Sequence, residues 1–151
     1  MKKRVTVGSL VVSAVALVSI ASFEGYRGEA YKDVAGIPTI GYGETKGVAM
    51  GQTTTPERAL IQLLKSVNSH SDQIRPLITV PLYQHEFDAY SSFAYNVGVN
   101  NFKNSTLRKK LNAGDYTGAC EELKRWVYAG GKKQAGLVKR REKEYNMCIG
   151  K

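Results

Sequence analysis

Only two cysteines and two histidines occur in the 151 residues, and neither type clusters. Cys120 and Cys148 form no Cys-x-x-Cys pair and His70 and His85 stand alone, so a metal centre finds no ligand set. Internal repeats and low-complexity tracts are missing too, which excludes a solenoid. Acidic residues are scarce, 13 against 22 Lys/Arg, leaving a net charge of +9 and a pI near 9.6. The excess is concentrated from Phe102 onward, with 13 Lys/Arg and 5 Asp/Glu. Nucleic acid, acidic lipid and the anionic cell wall all suit such a field, but no nucleic-acid-binding motif accompanies it. What is present is an ordinary 42% of apolar residues, enough for one core and one compact domain.

The longest uncharged stretch is residues 5–23, VTVGSLVVSAVALVSIASF, preceded by Lys2, Lys3 and Arg4. Its length just matches a bilayer core of about 30 Å, and the cations would keep the N-terminus inside. Nine of its nineteen residues are Gly, Ala, Ser or Thr, which makes it a weak anchor. Ser19 and Ala21 also fit a signal-peptide cleavage site, and an ordinary buried helix is a third reading. An oxidising compartment would let Cys120 and Cys148 pair, whereas cytosol would keep them as thiols.

Between Gly25 and Gly51, glycines alternate with Tyr31, Ile37, Thr39, Ile40 and Tyr42, a pattern of short strands and turns. Thr54 and Glu57 have capping-box spacing around Pro56, and Leu60, Leu63, Leu64, Val67, Ser71 and Ile74 predict one helix to about Arg75. Phe87, Tyr90, Phe93, Ala94 and Val97 predict one apolar face of a helix over 83–97, stopped by Gly98. Ser105–Asn112 is a short helix. Asp115 caps another that carries Ala119, Leu123, Trp126 and Val127. A loop over 129–136 leads to a last helix from Leu137 to about Ile149. The predicted class is α+β, a small glycine-rich β lobe and a larger helical lobe joined by a long helix, with a groove between them.

Glu24 stands where the apolar stretch ends and glycine begins. At the last turn of a helix it would face the negative end of the helix dipole, and apolar surroundings would also disfavour its charge. A general acid working near neutrality needs that environment. Asp33, in the turn-rich lobe, would stay ionised, and two carboxyl groups in such unlike settings are the parts of a glycosidase. Taken alone, both read first as surface acids, and Thr39 as a β-branched strand residue.

The spacing Glu24-x8-Asp33-x5-Thr39 resembles the catalytic motif of the phage-type lysozymes, the glycoside hydrolase family 24 muramidases to which T-even phage lysozyme belongs. The words Phe23-Glu24-Gly25, Gly36-Ile37-Pro38-Thr39-Ile40-Gly41-Tyr42-Gly43, Phe93-Ala94-Tyr95-Asn96-Val97-Gly98 and Trp126-Val127-Tyr128-Ala129-Gly130-Gly131-Lys132 are similar to that family's as well, and so are Gly136-Leu137 and Arg140-Arg141. One departure is Glu44, where many members have histidine, with little expected consequence. The resemblance implies a lysozyme fold and cleavage of the β-1,4 bond between N-acetylmuramic acid and N-acetylglucosamine. In it Glu24 is the acid, and Asp33 and Thr39 activate a water, inverting the anomeric carbon. It implies no cofactor, a peptidoglycan substrate, no nucleic-acid partner and a monomer. Tyr42, Asn96 and Gln134 are candidates to contact sugar, although capping, core and loop roles fit Asn96, Tyr95 and Gln134 equally. Trp126 and Tyr90 read as core. Arg140 or Arg141 is a candidate partner of Glu24, against a default of solvated arginines on a basic helix. A disulfide between Cys120 and Cys148 follows from export. Cleavage after Ala21 would remove the helix that leads into Glu24. The chain therefore resembles the signal-anchor-release endolysins, with residues 1–23 as anchor and 24–151 as catalytic domain. They insert N-in and C-out in the host inner membrane through 5–23 and are then freed to the periplasm.

Overall fold

The structure, a computed structural model, describes residues 2–151. Residues 5–23 do not form one apolar rod. Val5 bridges antiparallel to Leu82, with N–O distances of 2.9 and 2.8 Å, and a 3-10 turn covers Val7–Ser9. Helix α1 (Ala14–Glu24) begins only at Ser13, whose hydroxyl accepts from the Ala16 amide at 3.2 Å. Among the described residues no helix is long and apolar enough to cross a membrane. The segment lies instead on the helical lobe, held by polar side chains. Arg4 donates to Glu86 at 2.9 and 3.1 Å, Arg75 to the Leu10 carbonyl at 2.8 and 3.0 Å, and Gln84 to the Val11 carbonyl at 2.7 Å. Asp88 accepts from both the amide and the hydroxyl of Ser13, at 3.0 and 2.6 Å.

Strands β1 (Arg27–Lys32) and β2 (Pro38–Gly41) pair antiparallel, with Tyr31 opposite Thr39 and an irregularity between Arg27 and Tyr31. Helix α2 (Pro56–Ile74) is capped by Thr55, one residue later than the Thr54–Glu57 spacing predicts. The reason is a tertiary bond: the Thr54 amide is still bonded to the Gly28 carbonyl of the β lobe at 2.9 Å, so the chain turns helical only afterwards.

Helix α3 (Gln84–Val97) is the axis of the larger lobe. Every residue from Glu86 to Ala94 is buried, not one face of it as the periodicity predicts. The small side chains of Ala89, Ser91, Ser92 and Ala94 leave room for neighbours on all sides. Leu63, Val67 and Ile74 of α2 and Ala16 and Ile20 of α1 share its core with Phe102, Leu107, Leu111 and Leu123. The last four lie in or just after the short helices α4 (Val99–Lys103), α5 (Thr106–Asn112) and α6 (Tyr116–Glu122). Asp115 caps α6 as predicted, and Ser105, expected inside the short helix, is the cap of α5. Leu123, Trp126 and Val127 do not continue α6: a 3-10 turn, Leu123–Arg125, ends it. The predicted loop that follows contains a hairpin, β3 (Tyr128–Ala129) and β4 (Lys132–Lys133). Gly130 and Gly131 turn it at φ +58° and +75°, the two successive left-handed residues a two-residue turn requires. Helix α7 (Ala135–Cys148) then packs on α3, and a disulfide joins its Cys148 to Cys120 of α6. With a sequence separation of 28 between the cysteines, the bond contributes about 3.5 kcal/mol by loop-closure entropy.

Candidate active site

Glu24 is the last residue of α1, and Gly25 caps the helix at φ +72°. Its surroundings are not the apolar sheath predicted from sequence. Oε1 accepts from Arg140 Nη1 of α7 at 2.9 Å, and the Arg140 guanidinium lies over the Phe23 ring at 4.8 Å. The other oxygen faces the loop after β2: a Cβ on Gly43 would stand 3.6 Å from Oε2, and the Gly43 φ of +88° suits glycine. The side chain remains 25% exposed, so it is both held and reachable.

Arg140 is therefore the arginine that meets Glu24, and neither arginine is solvated: Arg140 is 5% exposed and Arg141 1%. Arg141 donates to Asn96 Oδ1, to Glu144 and, at 3.1 Å, to the Trp126 carbonyl. Glu144, just as buried, has no counterpart in the sequence reading. The available signal was its spacing, three and four residues after the two arginines on the same helical face.

Asp33 and Thr39 meet at Ile37. Asp33 Oδ1 accepts from the amides of Ala35 and Ile37, both at 2.9 Å, which fixes the turn between the strands. The Thr39 hydroxyl, on a residue only 4% exposed, donates to the Ile37 carbonyl at 2.9 Å. Its proton is thus committed, and its lone pairs are left to accept. Glu44 ties the same loop to α2, accepting from Ser66 at 2.8 Å and bridging to Ile40. Together with burial, which dominates, Glu44 and Glu24 push the Tyr95 phenol up to about 12, while Arg140 opposes them. Tyr95 also packs edge-on against His70, ring centroids 5.1 Å apart.

The three candidate sugar contacts have different surroundings. Tyr42 is half-buried and packs on Tyr26, ring centroids 5.5 Å apart. Gln134 precedes α7 and bonds back to the hairpin through the Val127 and Ala129 carbonyls, at 2.9 and 3.3 Å. Exposed Asn96 borders a depression of about 320 Å³ lined also by Asn101, Trp126, Tyr128, Leu137 and Arg141. Trp126 packs edge-on against Phe93, ring centroids 5.2 Å apart, and Tyr90 is fully buried.

The phage lysozyme family profile matches residues 21–144. The chain belongs to the phage lysozyme family. It is 40% identical over 146 residues to a SAR-endolysin of Bacteriophage PS119, covering 94% of this chain and 87% of that one. Among solved structures it matches the endolysin from Escherichia coli O157:H7 phage FAHEc1, with a TM-score of 0.87, 39% identity and 95% and 96% of the two chains covered. A P22 lysozyme variant matches with a TM-score of 0.86 and 34% identity, over 93% and 99% of the chains. As a phage lysozyme the protein is a glycosidase that degrades peptidoglycan.

Proposed function

We propose that this phage lysozyme cleaves the β-1,4 bond between N-acetylmuramic acid and N-acetylglucosamine with inversion, Glu24 acting as the acid. The observation that carries the reading is the setting of Glu24: a reachable carboxyl at a helix end, facing the β lobe and gripped by one buried arginine. Protonated, it delivers its proton to the glycosidic oxygen. Asp33 accepts a proton from a water on the far face of the sugar, and Thr39 holds that water. The Thr39 hydroxyl already donates to Ile37, so the water donates to Thr39 and its other proton goes to Asp33. Inverting enzymes need room for this water, about 6.5–9.5 Å between carboxyl groups. Tyr42, Asn96 and Gln134 are the proposed sugar contacts.

The test is Glu24→Gln on purified peptidoglycan, with turbidity loss as the readout. Activity falls by orders of magnitude while the thermal midpoint stays within about 2 °C; clearing at the wild-type rate rejects Glu24 as the acid. NMR of a fresh digest shows the α-anomer first, and a β-anomer rejects inversion.

For delivery, residues 5–23 insert N-in and C-out in the host inner membrane, then leave it uncleaved and pack on the domain as a periplasmic monomer. Supporting this is the match to a SAR-endolysin together with the uncharged run itself. Gly8, Ser9 and Ala14 are exposed in the folded form, so leucine there leaves packing intact and holds the chain in the membrane. Ser13 and Ala16 suit that test poorly, because one is bonded to Asp88 and the other is fully buried. Fractionation showing a soluble chain that begins at Ser22 with full activity would reject the anchor.

A further inference from the structure

We propose that Glu144 is a positioning residue that divides the hold of Arg140 between two carboxylates, so that the grip of Arg140 on Glu24, and with it the pH dependence of catalysis, depends on Glu144. The inference rests on Glu24 being the acid.

Glu144 is 1% exposed and sits one turn beyond Arg140 on α7. Its Oε2 accepts from Ser92 Oγ of α3 at 2.7 Å and lies 3.7 Å from Arg140 Nε, and its Oε1 receives Arg141 Nη1. Arg140 Nε makes no hydrogen bond to any described residue, and 3.7 Å is contact between charges rather than a bond. Arg140 donates Nη1 to Glu24 and Nη2 to the Ser92 carbonyl, at 2.9 and 3.3 Å. Ser92 therefore touches both members of the pair and fixes their spacing.

With Glu24 protonated, Arg140, Arg141 and Glu144 leave one net positive charge at this corner; with Glu24 ionised, the four groups sum to zero. Without Glu144, buried Arg141 would lose its carboxylate partner and Arg140 would keep only Glu24, an expensive arrangement. The undivided charge of Arg140 would favour the ionised form of Glu24, and an ionised Glu24 cannot act as an acid. The remaining groups that act on this corner are Glu44 from the loop after β2, Tyr95 from α3 and Lys143, which stands over the Phe23 ring at 5.3 Å. Burial pushes the Glu144 carboxyl up, and Arg141 and Arg140 pull it back.

The experiment follows kcat and KM against pH, on soluble peptidoglycan fragments, for wild type, Glu144→Gln, Glu144→Asp and Glu24→Gln. Glu144→Gln moves the alkaline limb of kcat down by about one pH unit, with KM within about twofold. Glu144→Asp keeps the charge and restores most of the limb. A purely structural Glu144 would scale the profile by one factor at every pH, and that result overturns the proposal, as does an aspartate that behaves like glutamine. If Glu144→Gln does not fold, Ser92→Ala, which frees one oxygen of Glu144, gives a smaller change of the limb; an unmoved limb there also overturns the proposal. An active Glu24→Gln rejects the acid assignment itself. An inactive one beside an unmoved Glu144→Gln profile rejects only the role of Glu144.

Discussion

Helices α1 and α2 both pack against α3, yet they are written differently. In α2 the buried residues are Ala59, Leu63, Val67, Ser71 and Ile74, one per turn, while Glu57, Arg58, Gln62, Lys65, Asp72 and Gln73 face water. In α1 the fully buried residues include Ala16 but not its larger neighbours, and Val15 and Val18 are 73% and 64% exposed. Nothing polar marks its outer face before Ser22. A helix selected only for this domain would put valine inward and lysine outward. The composition of α2 suits one environment, whereas the apolar circumference of α1 is what the proposed passage through lipid before docking would require. The domain has compensated. It holds the segment with hydrogen bonds to backbone at Leu10, Val11 and Ser13 as well as with the buried side chains of Val7, Leu10, Val12, Ala16 and Ile20.

Substitutions can break this contrast, beginning with α2. Leu63→Ala removes a fully buried side chain and lowers stability by about 2–5 kcal/mol, on the order of 10 °C in thermal midpoint, measured by calorimetry. A loss below about 1 kcal/mol would mean that α2 is not the firmer helix. Asp88→Ala is the corresponding cut for the N-terminal segment. It strips two hydrogen bonds from Ser13, costs about 1–3 kcal/mol, and makes residues 4–13 the first to exchange amide hydrogens. Uniform exchange would show that apolar packing suffices there. Smallest in the folded enzyme is the double change Val15→Ser with Val18→Ser, within about 0.5 kcal/mol at each site, because both side chains are in water. Its effect appears in membrane insertion of the new chain, which falls. A midpoint drop of several degrees would instead assign the valines to packing.

The helix start at Asp115 was legible from its capping side chain, but side-chain caps at Ser13 and Thr55 were not enough to fix the other starts. They slipped where a tertiary bond decides, as at Thr54, whose amide belongs to the β lobe. The helix predicted through Val127 failed because Gly130-Gly131 sets a hairpin, and Gln134 closes on the Val127 carbonyl. At the site, the residue types and spacing of Glu24, Asp33 and Thr39 were open to reading. The burial of Arg140, Arg141 and Glu144 was not. Charge on a basic helix reads as solvated until a partner from another element is known, and here the partners are Glu24, Ser92 and Asn96. The assumption that Glu44 has little effect likewise missed its bond to Ser66.

The central helix carries a further consequence. Along α3, Glu86 and Asp88 grip the N-terminal segment, and Ser92 and Asn96 grip the arginines of α7. Asp88 and Ser92 are about one helical turn apart. With its flanks filled from Glu86 to Ala94, this rod has no free side along which to slide. Seating the first residues and setting the arginines behind Glu24 thus both rest on one helix.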